Sequence, residues 1–317
     1  MAAPVVVIGA GMAGLACAGR LAQAGVPTLV LDKGRGIGGR LATRRATVAG
    51  AAVQFDHGAQ YMTAREPAFA ALLEGMAMRG AVARWQDGSD RAHWVGAPGM
   101  SALPRAMADG LDIRQATEVR ALRPGPDGWT VTTETEAIAA RAVVLTVPAP
   151  QVAPLLEDGH PLARAVAGVA LAPCLTLMAA FAADAPIPFA SAAHTDEALA
   201  WIACDVTKPG RPRGPVTWVA QAAPDWSARH LEASPAALAP RMLALLAGRL
   251  GLSADAALHA SAHRWRYARV TAPLGQPFVR HAGLWLGGDW CLGPRVEAAW
   301  ASGTAIAADM LERADVA

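Results

Sequence analysis

Three groups of residues in this chain have the types and spacing to do chemistry. The first is Gly9-Ala10-Gly11-Met12-Ala13-Gly14, with Asp32 eighteen residues further on. Gly9 permits a tight turn off a strand, and Gly11 lets backbone approach a pyrophosphate seated on a helix N-terminus. Gly14 allows helix and strand to pack closely. Asp32 stands where a carboxylate accepts both hydroxyls of an adenosine ribose. The second group is Lys33 to Arg40, with glycines at 34, 36, 38 and 39. Such a loop forms neither helix nor strand and offers backbone N–H groups. Arg35 adds positive charge, and Arg40 adds a charge-assisted donor, so the loop reads as a second phosphate wall. The third group is Asp56-His57-Gly58-Ala59-Gln60-Tyr61, a polar cluster at a strand end, where open α/β sheets hold ligands. Gln60 could hold a carboxamide and an arginine a phosphate. The alternative is a polar strand end satisfying its own backbone, with His57 hydrogen-bonded to structure.

The surrounding elements give these groups their context. Residues 5–8 are apolar and β-branched, which suits a strand buried on both faces. Leu15, Cys17, Ala18, Leu21 and Ala22 recur at helical spacing, and Gly25 with Pro27 ends the helix. Residues 28–31 form the next strand and close a right-handed βαβ unit. Residues 41–48 and 51–55 read as a hairpin turning at Ala49-Gly50. A helix over 67–79 and short strands at 81–85 and 91–95 follow. Ser101 stands where it would cap a helix running to Met107.

Residues 113–122 and 129–133 pair around the turn at 124–128, 142–147 form a further strand, and these short strands return to the first sheet. From about 150 to 280 helices (162–171, 235–250) alternate with strands (174–181, 199–204, 216–222, 257–263). Trp201, Trp218, Trp226, Trp265 and Tyr267 fall in this part, which reads as a substrate domain with its own sheet. Near the end, strand 284–286 leads into Gly287-Gly288-Asp289-Trp290. Residues 295–313 are helix-forming apart from Gly303. This is a second place where a helix start can face a ligand.

Composition excludes several classes. The 317 residues are 53% hydrophobic with a formal net charge of +2, so a large core is expected and disorder is not. Lysine occurs only at 33 and 208, and the arginines are scattered, which gives nucleic-acid binding little support. Cys17, Cys174, Cys204 and Cys291 are far apart, with no metal-ligand spacing, and fit a reducing cytoplasm. The start lacks a basic segment and cleavage site, so a signal peptide is not expected. Residues 165–183 carry no charge, but Gly168 and Pro173 argue for a helix ending near Leu171 and a buried strand, not a membrane span.

Together the motifs resemble one family. Gly9 to Gly14 with Gly38-Gly39-Arg40 is similar to the flavin amine-oxidase superfamily. Residues 56–65, beginning Asp56-His57-Gly58, and residues 288–300, with Gly288-Asp289 and Arg295-Val296-Glu297, resemble the bacterial renalases more narrowly. The resemblance implies an α/β protein in which a Rossmann-type FAD-binding domain is interleaved with a mixed-sheet α+β substrate domain. This is the architecture of p-hydroxybenzoate hydroxylase and the amine oxidases. The expected division is 1–64, 100–150 and 280–317 for FAD, and 65–99 and 151–279 for substrate.

The implied chemistry is oxidation of 2- or 6-dihydro isomers of NAD(P) by non-covalent FAD. Hydride goes to flavin N5, dioxygen reoxidises the flavin, and hydrogen peroxide and oxidised NAD(P) result. By motif, Gly9, Gly11, Met12, Gly14, Asp32, Lys33, Gly39 and Arg40 would serve the adenosine and phosphate end. Val119 would hold adenine by its backbone, Asp289 the ribityl chain, and the helix start at Val296 the flavin N1–O2 edge. His57, Gly58, Ala59, Gln60, Tyr61 and Arg295 would face substrate. No side chain is expected as an acid–base catalyst, since the dihydropyridine nitrogen itself pushes electrons. An amine oxidase, or a flavin-binding protein without turnover, remains the alternative. Amine oxidases of the superfamily commonly place a lysine near flavin N5, and here Lys33 lies at the ribose end and Lys208 in a loop. The partners expected are a small-molecule substrate and dioxygen, with no nucleic acid and no membrane; the oligomeric state is left open.

Overall fold

The computed structural model of the chain describes residues 3–125 and 128–313. Strand Val5–Ile8 lies at the centre of a six-stranded sheet, between Ala142–Leu145 and Thr28–Leu31. Leu284–Gly287 and Asp112–Arg114 extend it on either side in parallel, and Phe278–His281 closes one edge antiparallel. Strand alternation explains why the central strand is apolar throughout. Val6 and Ile8 face one core with Leu29, Leu31 and Leu145. Val5 and Val7 face the other, with Leu15 and Leu21 of helix Met12–Gln23 and Ile306 and Met310 of helix Val296–Leu311. These two helices cross at Gly303. A Cβ there would lie 2.0 Å from the Ala13 carbonyl oxygen, so the glycine in the last helix is a packing requirement.

The connection from Asp112–Arg114 to Ala142–Leu145 is a separate antiparallel sheet of Val119–Gly125, Gly128–Thr133 and Ala137–Ala140. These strands do not join the first sheet as expected. Leu122, Trp129 and Val131 press down onto the first core while their neighbours face outward, which is the pattern of a sheet wet on one side. Of the turn expected at 124–128, Pro126 and Asp127 lie outside the described residues.

The second large sheet has five strands in the order Ser191–Ala193, Leu199–Cys204, Val216–Ala222, Ala170–Phe181, His259–Ala272. Every pairing within it is antiparallel. Helix Pro235–Leu250 covers one face through Leu238, Met242 and Leu246. The hairpin Thr43–Val48 with Ala51–Asp56 covers the other, where Val53 and Phe55 meet Met178, Ala180 and Val219. The charge-free stretch differs from expectation. Its helix spans only Pro161–Ala165, and the strand begins at Ala170 and runs through Pro173. A register shift between Ala172 and Cys174 accommodates the proline, which has no N–H for the ladder. Ser101 does not cap helix Ala102–Met107. Its Oγ is buried without a partner, and its backbone N–H donates to Thr43 Oγ1. Among the described residues no helix is long and apolar enough to cross a membrane.

Candidate functional site

The glycines of the first turn divide their work as their environments require. Gly9 has φ +108°, a conformation that side chains resist. A Cβ on Gly14 would lie 1.9 Å from the Gly9 carbonyl oxygen, so only glycine permits that contact. At Gly11 a Cβ would meet no atom within 4 Å, and the space in front of the helix start is open. The Lys33–Arg40 loop lies against this space. Gly38 N–H donates to the Ala10 carbonyl at 2.9 Å, and a Cβ on Gly39 would lie 3.6 Å from Gly11 Cα. Asp32 ties the two loops together, accepting from Ala10 N–H and Gly34 N–H at 2.6 Å each. Each carboxylate oxygen keeps lone-pair capacity for a further donor. Ala116 and Thr117 bond to the Gly34 and Asp32 carbonyls, which brings the start of the Val119 strand to the same end. Met12 is buried in the core, so only its backbone is offered to a ligand. Lys33 Nζ lies 3.4 Å from Gln151 Oε1 at the exposed rim.

Arg40 joins this end to the C-terminal motif. Its guanidinium donates to Asp289 through two bonds of 2.9 and 2.6 Å, and to the Ala268 carbonyl at 2.9 Å. Gly58 packs on the Arg40 backbone, where a Cβ would lie 2.0 Å from the carbonyl oxygen, and Ala59 N–H donates to that oxygen at 2.8 Å. Arg40, Asp289, Gly58 and Ala59 are thus neighbours. Arg295 precedes the 16-residue helix starting at Val296, whose first turn has no side-chain cap. Its N–H groups present the positive end of the helix. Arg295 Nε stands 3.6 Å from Glu297 Oε2. Glu297 Oε1 accepts Arg65 and Glu66 N–H at 2.7 and 2.8 Å. Val296 shares an apolar cluster with Tyr61, Trp201 and Trp300.

Residues 57–61 are held by a buried ionic brace. Asp56 accepts from Thr43 Oγ1 at 2.7 Å, Met100 N–H at 2.9 Å and Arg211 Nη2 at 2.5 Å. Lys208 Nζ lies 2.6 Å from Asp205 Oδ1 and 3.5 Å from Asp56 Oδ2, and Asp205 accepts the Asp56 N–H at 2.6 Å. Burial pushes the Asp56 carboxyl up, but Lys208, Arg211 and the hydrogen bonds outweigh it and hold it below its ordinary value. Burial raises Asp205, and the Asp56 charge adds to that. Gln60 is consumed by the same brace. Its Nε2 donates to the Asp56 and Gly58 carbonyls, and its Oε1 accepts from Lys208 at 3.3 Å. Lys208 does follow a short 3₁₀ turn, as its loop-like sequence implies, but its side chain is wholly buried. Asp205, Lys208 and Arg211 form no motif with Asp56; folding alone brings them together.

His57 is buried, with its Nδ1 unpartnered and its ring in contact with His263 (4.8 Å between centroids) and Trp265 (5.3 Å). Burial, aided by His263 and Arg44, lowers its pKa to about 4, so it is neutral at pH 7. Trp265 Nε1 donates to the His57 carbonyl at 2.8 Å, and Gln221 Nε2 to that of Gly58 at 2.7 Å. Tyr61 stacks on His93 at 3.8 Å and tilts against Trp201 at 5.2 Å. No sequence pattern tied His93 or Trp201 to Tyr61, because each reaches it only through the packing of separate strands. Tyr61, His93 and Trp201 offer aromatic surface here, and the Asp56 carboxylate is already bonded through both oxygens.

Comparisons with known proteins agree with this geometry. Residues 7–75 match the NAD(P)-binding Rossmann-like domain, and residues 83–311 match the flavin containing amine oxidoreductase family. A protein from Exiguobacterium sp. 255-15, provisionally named protoporphyrinogen oxidase, has a TM-score of 0.80 at 14% identity, covering 99% of this chain and 100% of that one. Wild-type putrescine oxidase bound to putrescine has a TM-score of 0.68 at 15% identity, covering 98% and 99%. Cyclohexylamine oxidase from Brevibacterium oxydans IH-35A has 0.68 at 15%, covering 99% and 100%. At these identities the likeness speaks for the fold. The open space before Gly11, the second glycine wall and the uncapped helix start at Val296 fit the pyrophosphate and the flavin of one extended cofactor. The chain therefore belongs to the flavin containing amine oxidoreductase family, and its cofactor is FAD.

Proposed function

We propose that the protein is an oxidase of dihydropyridine nucleotides, the 2- or 6-dihydro isomers of NAD(P), in the manner of the bacterial renalases. The observation that carries this reading is the state of the charged groups beside residues 57–61 and Arg295. Asp56 is buried with both carboxylate oxygens bonded, and Glu297 is buried with Oε1 accepting two backbone N–H groups and Oε2 facing Arg295 Nε at 3.6 Å. An ammonium substrate would meet the partly exposed Arg295 guanidinium in front of the buried Glu297 carboxylate. Lys208 is locked between Asp205 and Asp56, not available to order a water for amine oxidation. Arg295, about a third exposed, offers a guanidinium to a phosphate.

FAD, when bound, supplies hydride acceptance and passes the electrons to dioxygen, giving hydrogen peroxide. The chain's own residues bind and orient. Gly9, Gly11, Gly14 and Gly39 admit the pyrophosphate, with Arg40, Lys33 and the Met12 backbone beside it. Asp32 takes the adenosine ribose, the Val119 backbone the adenine, and Asp289 the ribityl chain. The positive helix end at Val296 suits the negative charge that reduction leaves on the flavin. Attachment is non-covalent: burial pushes the Cys291 thiol up to about 12, which leaves it a poor nucleophile. Tyr61 supplies aromatic surface for the substrate ring, beside the neutral His57 and the backbone of Gly58 and Ala59. Four free cysteines fit a reducing cytoplasm.

Amine oxidation is the second reading, favoured by the family match and by the likeness to putrescine and cyclohexylamine oxidases. Anaerobic mixing of the yellow protein decides between them. Bleaching by chemically reduced NAD isomers, reversed by air with peroxide formed, is the expected result. Bleaching by simple amines and not by the isomers would overturn it.

A further inference from the structure

The hairpin that backs Tyr61 carries a cleft of its own. Strands Val82–Trp85 and His93–Gly96 pair antiparallel, with Arg84 opposite Trp94 and Trp85 opposite His93. Around the tip of this hairpin lies a cleft of about 380 Å³, whose lining includes Arg84, Gln86, Ser89, Arg91 and His93. Its volume falls in the range of small-ligand sites. Two arginines line it and no carboxylate does. Asp87, at the same tip, is buried and turned inward. It meets His93 Nδ1 at 3.0 Å and accepts from Ser89 Oγ and Ser191 Oγ at 2.7 Å each. These bonds hold the tip in shape, and Trp85 Nε1 ties its strand to Thr207 at 3.2 Å. Asp90 is exposed and lies outside the lining.

Arg84 is pinned but not consumed. Its guanidinium lies over the Trp94 ring, 3.9 Å from the centroid. Stacking occupies the face of the planar fork and leaves the N–H donors along its edges for a ligand. Among the described residues neither Arg84 nor Arg91 has a carboxylate partner or a side-chain hydrogen bond, whereas Arg79 pairs with Asp109 and Arg266 with Glu232. An arginine already held flat loses less side-chain freedom on binding than a free one. Two guanidinium groups beside the Gln86 amide suit a ligand with several charged acceptor oxygens, which is the chemistry of a phosphate. His93 lines this cleft and also stacks on Tyr61 at 3.8 Å, so the cleft adjoins the candidate substrate site.

We propose that this cleft is a phosphate-binding subsite in which Arg84 and Arg91 clamp a phosphoryl group. The group comes either from the phosphate end of a nucleotide whose pyridine ring lies at Tyr61, a source that rests on the function proposed above, or from a separate phosphate compound. The probe is inorganic pyrophosphate, titrated calorimetrically into the FAD-bound protein at an ionic strength held constant with KCl. Arg84→Gln and Arg91→Gln should each weaken binding about fivefold to tenfold, with flavin content and thermal melt unchanged. Arg84→Lys, which keeps the charge but not the fork, should recover part of the loss. Arg20→Gln, at an exposed arginine of helix Met12–Gln23, should change nothing. No saturable binding, or equal weakening by Arg20→Gln, overturns the proposal. The source is read from anaerobic flavin bleaching by reduced NAD isomers and by reduced 1-methylnicotinamide, which has no phosphate. If the nucleotide fills the cleft, Arg84→Gln raises the half-saturating concentration of the NAD isomers alone, and pyrophosphate competes with them. If a separate compound fills it, pyrophosphate binding falls in Arg84→Gln while bleaching is unaltered. Absence of bleaching by either reductant overturns the dihydropyridine reading and leaves the subsite standing on its pyrophosphate binding.

Discussion

A valine at Gly11 would separate ligand space from folding space. Gly11 has φ −81° and ψ −178°, a backbone that any residue adopts. A Cβ there meets no atom of the protein within 4 Å. Gly11→Val therefore should fold, and what it fills is the approach to the N–H groups opening helix Met12–Gln23. Loss of two charge-assisted hydrogen bonds to a pyrophosphate, at about 1.5–3 kcal/mol each, weakens FAD by roughly 10²- to 10⁴-fold. Gly14→Ala is the contrast. Its Cβ would sit 1.9 Å from the Gly9 oxygen, so it damages the fold itself. The assay is flavin absorbance per mole of purified protein, with a thermal melt against deflavinated wild type. Gly11→Val should be colourless with the melting temperature of the wild-type apoprotein, and Gly14→Ala should melt lower. A fully yellow Gly11→Val refutes the assignment of that space to the cofactor.

On the proposed ribityl role, Asp289→Ala should loosen FAD more than Glu297→Ala, because Asp289 is bonded to Arg40 of the glycine-rich loop while Glu297 holds Arg65 and Glu66 N–H; equal retention by equilibrium dialysis argues against the ribityl role. Lys208→Met should cost about 3–5 kcal/mol in urea unfolding, by leaving Asp205 buried and uncompensated. Adding Asp205→Asn should restore much of that loss, and a double variant no more stable than the single one contradicts the brace. His57 has a folded pKa of about 4, below the ordinary 6.5, so the unfolded chain binds more protons between those values. Its contribution is present above pH 6.5 and is lost as pH falls toward 4, by up to about 3 kcal/mol. His57→Asn should flatten that part of the stability profile, and an unaltered slope would show that His57 is not its source.

Local constraints were legible in the chain itself. The unbroken apolar run at 5–8 announced a strand buried on both faces, and the spacing of Gly9, Gly11, Gly14 and Asp32 announced the turn, because a positive φ or an absent Cβ is a demand made residue by residue. The pattern over 235–250 announced its helix for the same reason. Residues 162–171 misled because alanine favours helix when nothing else decides. Burial between Val216–Ala222 and His259–Ala272 made residues from Ala170 onward a strand instead. The candidate site divides along the same line. Gln60 and Tyr61 stood out as polar residues at a strand end, but what they do depends on partners far along the chain. Lys208 takes the Gln60 oxygen from 148 residues away, and Trp201 comes to Tyr61 through the pairing of another sheet. Such contacts are set by how sheets stack and which charges must be neutralised when buried, and a linear spacing carries neither.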